Sequence, residues 1–122
     1  ASISIITALG CKTARAVSGG MYSYPFHGIY RLPSSRFSCL ESLSTIKGYI
    51  DNAIKTQSTV SIYLHSIVAD PGGDSKYTSI TDFQALIDYI VTKNITCKTF
   101  SEWYNGLTNP RYRSLPVTRA TV

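Results

Sequence analysis

The chain is poor in the residues that build metal and redox centres. Among its 122 residues there are two histidines, three cysteines, one tryptophan and one methionine. His27 and His65 stand 38 positions apart, so the chain contains no H-x-x-x-H pair. Cys11, Cys39 and Cys97 are far apart and form neither a C-x-x-C nor a Cys/His cluster, which excludes a zinc ribbon. Their odd number argues against a complete disulfide framework, and they read as buried thiols near strands. No apolar run approaches the ~20 residues of a membrane-spanning helix. Acidic residues are also few, seven against twelve lysines and arginines, which leaves a net charge of +5.

Part of that positive charge is local. No acid follows Glu102, whereas Arg111, Arg113 and Arg119 lie beyond it. Residues 108–122 therefore read as an irregular basic tail, either simply solvated or in contact with an anionic polymer or surface. No basic stripe with interleaved aromatics occurs elsewhere, so nucleic acid is not an expected partner. Asn94-Ile95-Thr96 has the form of a glycosylation sequon, which carries weight only in a eukaryotic secretory setting.

With 43% hydrophobic residues, the chain can bury one modest core. The opening stretch, residues 2–9, is apolar without a basic leader and reads as the last turns of a helix capped by Gly10, not as a signal peptide. A chain that begins mid-helix reads as a fragment. Cys11–Val17 and Ile29–Leu32 read as short strands separated by Ser18-Gly19-Gly20 and a Tyr-rich loop. A helix is expected over 40–56, where Leu43, Ile46, Ile50, Ala53 and Ile54 share one face, with Ser38…Glu41 as a capping box and Ser42 as the alternative cap. An apolar strand follows at 60–68. Phe83, Leu86, Ile87, Ile90 and Val91 mark an amphipathic helix over 82–93, with Thr81 and Gln84 as its capping box. Ile95–Phe100 reads as a strand, and Ser101 as the cap of a short helix at 102–105 ended by Gly106, with Trp103 facing the core. Alternating strands and helices argue for an α/β fold, a partial (β/α) barrel-like parallel sheet of three to four strands flanked by helices.

Three segments carry a family resemblance. Lys12-Thr13-Ala14-Arg15-Ala16-Val17 follows a Gly-ended helix and precedes Tyr24-Pro25-Phe26 and Ile29-Tyr30-Arg31-Leu32. Ile62-Tyr63-Leu64-His65-Ser66-Ile67 has the form of a hydrophobic–Leu-His-Asp motif with serine in the last place. Thr81-Asp82-Phe83 through Tyr89-Ile90 leads to Lys98-Thr99-Phe100-Ser101-Glu102-Trp103, which contains a T-x-S-E segment. In this order and spacing they resemble the C-terminal part of the polysaccharide deacetylase (NodB-homology) family, over residues 1–107. The resemblance implies hydrolysis of N-acetyl groups on a glycan such as chitin or peptidoglycan, by a hydrolase of carbohydrate metabolism acting outside the cell or at its surface. It implies a divalent, zinc-like metal held by one Asp and two His, with a neighbouring Asp as base. It assigns His65 as the acid that protonates the departing amine, and Leu64 as part of the pocket for the acetyl methyl.

The departures from that family are large. The Asp-Asp pair, the H-x-x-x-H and the Arg-Pro-Tyr-Gly loop are absent, and neither Asp nor Trp occurs between residues 20 and 40, where the D-x-x-D-W motif would fall. This chain alone is therefore expected to bind no metal. Its partners would be a glycan and either a missing N-terminal half or another copy of itself. A strand-end His65 serves either chemistry or a structural hydrogen bond. His27 reads as a surface residue of its loop. Arg15, at the end of its strand, either reaches the cleft of His65 or pairs with a local carboxylate or carbonyl. Tyr22, Tyr24, Phe26 and Tyr30 form either a platform for sugar rings or a loop packed on itself, with Tyr24 the nominated substrate contact. Two functions remain open: a deacetylase portion lacking its metal half, or a non-catalytic glycan-binding or structural module of a cell-surface or virion protein.

Overall fold

The computed structural model describes residues 2–22 and 28–108. Its elements run α1 (Ser2–Ala8), β1 (Met21–Tyr22), β2 (Ser35–Arg36), α2 (Leu43–Thr56), β3 (Thr59–Val60), β4 (Ile62–Tyr63), β5 (Ser66–Val68), β6 (Tyr77–Ser79), α3 (Ile80–Thr92) and α4 (Phe100–Thr108). This is a mixed α/β arrangement. The strands form three two-stranded sheets, parallel for β2–β4 and β5–β6 and antiparallel for β1–β3, with no closed barrel among the described residues.

The parallel frame is nevertheless continuous in its backbone bonding. The central segment bonds to the first one through Leu32 N–H to the Ala14 carbonyl at 2.9 Å and Ala16 N–H to the Leu32 carbonyl at 2.7 Å. On its other side, Ser35 N–H reaches the Ser61 carbonyl at 2.8 Å and Phe37 N–H the Tyr63 carbonyl at 2.9 Å. Three stretches therefore lie side by side in chain order. The first is a single bridge, Arg15 to Leu32, instead of a strand over 11–17. The second runs past Pro33, which bonds on neither side at its nitrogen and so need not end it. The expected strand at 60–68 is divided into β3, β4 and β5, and no strand forms at 95–100.

Helix boundaries follow capping chemistry. Ser42, not Ser38, caps α2 by accepting from Thr45 N–H at 3.1 Å, and Ser79, not Thr81, caps α3 by accepting from Asp82 N–H at 3.0 Å. The expected Ser38–Glu41 box forms only in half, as a turn ahead of the helix: Ser38 N–H donates to Glu41 Oε2 at 2.8 Å, but Glu41 N–H bonds to the Ser38 carbonyl at 3.1 Å, not to its hydroxyl. At α4 the box is Thr99 with Glu102, each side chain accepting the other's backbone N–H, and Gly106 lies inside the helix instead of ending it. Three helices end in one motif. Gly10 (φ 82°), Gln57 (φ 55°) and Asn94 (φ 57°) each take the left-handed conformation, and the residue after each bonds back five positions: Cys11 to Ile6, Ser58 to Ala53, Ile95 to Ile90.

The core lies on one face of the parallel frame, under α2 and α3. Phe37, Ile46, Ile50 and Leu86 are buried there, with Leu43, Val60, Ile62, Tyr89, Ile90 and Ile95 packed around them. Trp103 is buried as expected, whereas the thiols are not: Cys11 and Cys97 are exposed and Cys39 is half-buried, because the segments that carry them are edges and connections, not covered strands. No helix among the described residues is long and apolar enough to cross a membrane.

Outside the core, α2 and α3 are joined by a polar clasp. The Tyr89 hydroxyl donates to the Asp51 carboxylate, Lys93 Nζ lies 3.5 Å from the same oxygen, and Lys47 and Lys93 sit over the Tyr89 ring at 4.9 and 5.3 Å. The phenol hydrogen bond, with the Lys93 charge, holds the Asp51 carboxyl below its ordinary range. In Tyr89→Phe, Asp51 is expected to titrate at higher pH than in the parent protein. Side-chain carboxyl NMR across an acid titration checks this, and an unchanged Asp51 midpoint would show that the clasp does not persist in solution.

Candidate functional site

The face of the parallel frame opposite the core carries polar side chains beside the buried Leu32. Side chains alternate along a strand, so Leu32, Ser34 and Arg36 share one face while Ser35 and Phe37 share the other. The parallel register sets Arg36 beside Tyr63 and Arg15 beside Leu32, and His65 follows Tyr63 by two positions. Arg15, Ser34, Arg36, Tyr63 and His65 thus gather near the carboxyl ends of three adjacent segments, where sites of parallel α/β folds lie.

Tyr63 is the centre of this group. The Arg15 guanidinium carbon lies 4.7 Å from the centroid of the Tyr63 ring, and the His65 ring meets the same ring edge-on at 6.0 Å with an interplanar angle of 83°. Arg15 Nη1 also reaches Ser34 Oγ at 3.4 Å, and that hydroxyl donates to the Ala16 carbonyl. Arg15 and His65 are exposed, so both are open to a large ligand. Arg36 is differently engaged. Its Nε and Nη2 donate to Glu41 Oε1 at 3.0 and 2.8 Å, while Glu41 Oε2 accepts from the Ser38 hydroxyl at 2.6 Å. Burial pushes the Glu41 carboxyl up, but the bonds from Arg36 and Ser38 and the adjacent positive charge outweigh it and hold the carboxyl below its ordinary value.

Two of the residues nominated from the sequence, His65 and Arg15, therefore meet through Tyr63, which stands in the His65 motif but was given no role there. The signal for Tyr63 was the period of two: it precedes His65 by one pleat and shares its face. Leu64 does not join them. It points to the other face and lines, with Ile62, Phe83, Leu86, Phe100 and Trp103, an apolar cavity of about 380 Å³ between the strands and the helices. Tyr24 lies outside the described residues, as do Phe26 and His27. Tyr30 donates its hydroxyl to the Cys11 carbonyl at 3.0 Å, a bond within the loop region. Ser66 is exposed and bonds through its N–H to the Lys76 carbonyl at 3.1 Å, in the β5–β6 ladder. Among the described residues, no three His, Cys, Asp or Glu side chains come together.

Compared with protein-family models, curated proteins and solved structures, the chain matches none. The Arg15–Tyr63–His65 face can bind a polar ligand through a guanidinium and an imidazole, and an imidazolium can hand a proton to a leaving group held beside it.

Proposed function

We propose that the chain is the glycan-facing C-terminal portion of a polysaccharide deacetylase-like protein, extracellular or at the cell surface. The observation that carries this reading is the meeting of Arg15 and His65 on Tyr63, at the carboxyl ends of adjacent parallel segments. In this reading Arg15 orients the sugar and His65 donates a proton to the amine nitrogen as the amide C–N bond breaks; without that proton the amine is too basic to leave. The water-activating metal and base come from an N-terminal half or a second copy of the chain.

A second reading is a non-catalytic glycan-binding module. It is favoured by Ser66, which stands in the place of the family's Asp and contributes its N–H to a sheet ladder. Both readings require a glycan on the same face. Titrating the labelled protein with chitotetraose and following backbone amide and imidazole resonances is the test. Shifts centred on Arg15, Tyr63 and His65 are expected, and shifts absent there at millimolar sugar would overturn both readings. Acetate release in the presence of added Zn²⁺ would separate the hydrolase from the module.

A further inference from the structure

We infer that the glycan this face takes is acidic, and that Arg15 receives a sugar carboxylate; the inference rests on the glycan reading above. The two guanidinium groups of the face differ in how their charge is met. Arg36 is neutralised by Glu41 through two short hydrogen bonds. Arg15 has no carboxylate within ion-pair distance among the described residues, and its one hydrogen bond there is the long contact to Ser34 Oγ at 3.4 Å. A guanidinium carries five N–H donors in a planar fork that matches a carboxylate with two parallel bonds. The guanidinium carbon lies over the Tyr63 ring at 4.7 Å, a cation–π contact that keeps the fork at this face without using its N–H donors. His65, against the same ring, adds a second positive charge when protonated. The net charge of +5 draws anionic polymers toward the chain as a whole. A neutral amino sugar would leave this prepared charge unanswered.

The carboxylate can belong to a uronic acid or to the lactyl ether of a muramic acid, and binding measurements distinguish them. Affinities for hyaluronan tetrasaccharide, for the N-acetylglucosamine–N-acetylmuramic acid disaccharide and for neutral chitotetraose are to be compared at low salt by calorimetry. One acidic ligand is expected to bind roughly tenfold more tightly than chitotetraose, as a charge-assisted bidentate contact gives. That gain should shrink as salt is raised, since the site is exposed. Arg15→Gln is expected to abolish the gain, bringing the acidic ligand down to the affinity the same variant has for chitotetraose, while its backbone amide spectrum away from the site stays that of the parent, which reports that the variant is folded. Arg15→Lys should retain part of it, having the charge without the fork. Lys55→Gln, an equal loss of charge on the exposed end of α2, should retain all of it. Equal affinity for acidic and neutral sugars, or a gain that survives Arg15→Gln or disappears in Lys55→Gln, would overturn the inference and leave the glycan reading standing. Failure of all three sugars to bind would overturn the glycan reading itself.

Discussion

Phe37→Ala is expected to destabilise the protein by about 3–5 kcal/mol, the range for removing a fully buried aromatic ring from a packed core. Phe37 is fully buried and touches both helices' inner rows through Ile46, Ile50 and Leu86. It is also held by its backbone. Its N–H bonds to Tyr63 and its carbonyl accepts the hydroxyl of buried Thr78 at 2.7 Å, so the main chain cannot shift inward to fill the space the ring leaves. The loss therefore combines transfer of the ring with an open cavity. Phe37→Leu retains most of the apolar volume and is expected to cost under about 1.5 kcal/mol. Urea denaturation checks both, with the midpoint moving and the slope unchanged. A Phe37→Ala cost below about 1 kcal/mol would show that the core is centred elsewhere. For a domain of this size, whose whole stability is on the order of 5–15 kcal/mol, the alanine variant is expected to be partly unfolded on warming.

Glu41→Gln is expected to cost about 1–2 kcal/mol near neutral pH, as hydrogen bonds to a charged acceptor become hydrogen bonds to an amide. The figure is modest because the Arg36–Glu41 pair is partly exposed and solvent screens it. Its pH dependence is the sharper readout. The folded-state pKa of Glu41 is depressed, so its contribution is fully present above the unfolded-state value and is lost as pH falls through the folded-state value. Asp51 and Glu102 are depressed as well, the first chiefly by the Tyr89 hydroxyl and the second chiefly by the Thr99 backbone N–H. Stability is therefore expected to hold through the neutral range and to fall on acidification below the ordinary carboxylate range. In Glu41→Gln that acid limb should be shallower, measured as urea midpoints across pH. A limb of unchanged slope would show that the turn ahead of α2 does not depend on the ionised carboxylate.

The helices were legible from their amphipathic period, but burial follows it only in part. Ile46, Ile50, Ala53 and Leu86, placed on inward faces by spacing alone, are buried, whereas Ile54, Ile87 and Val91, placed on the same faces, are exposed at their margins. Their ends were less legible. Ser38 and Ser42, like Ser79 and Thr81, offer the same hydroxyl chemistry a few residues apart, and the choice falls to where the preceding strand stops. The left-handed ends at Gln57 and Asn94 gave a weaker signal than Gly10, because a side chain disfavours that conformation and only the completed bond to the preceding turn holds it. The strands were least legible. The 60–68 run is apolar enough to suggest one strand, yet Val60 pairs with Met21, Ile62 with Ser35 and Ser66 with Tyr77, three different partners that divide it. Partner choice depends on residues far away in the chain, which a local pattern does not contain.

By itself the sequence determined an α/β chain with two strongly amphipathic helices, a positive net charge and no locally spaced set of metal ligands, since composition and short-range period do not depend on how distant segments meet. It also singled out Arg15 and His65. Only the tertiary structure decided that these two share the ring of Tyr63 while Leu64, adjacent to His65 in sequence, lines an apolar cavity on the opposite face. The physical reason is the pleat of an extended chain, which turns neighbours to opposite sides, together with a parallel register that places residues nearly fifty positions apart in contact.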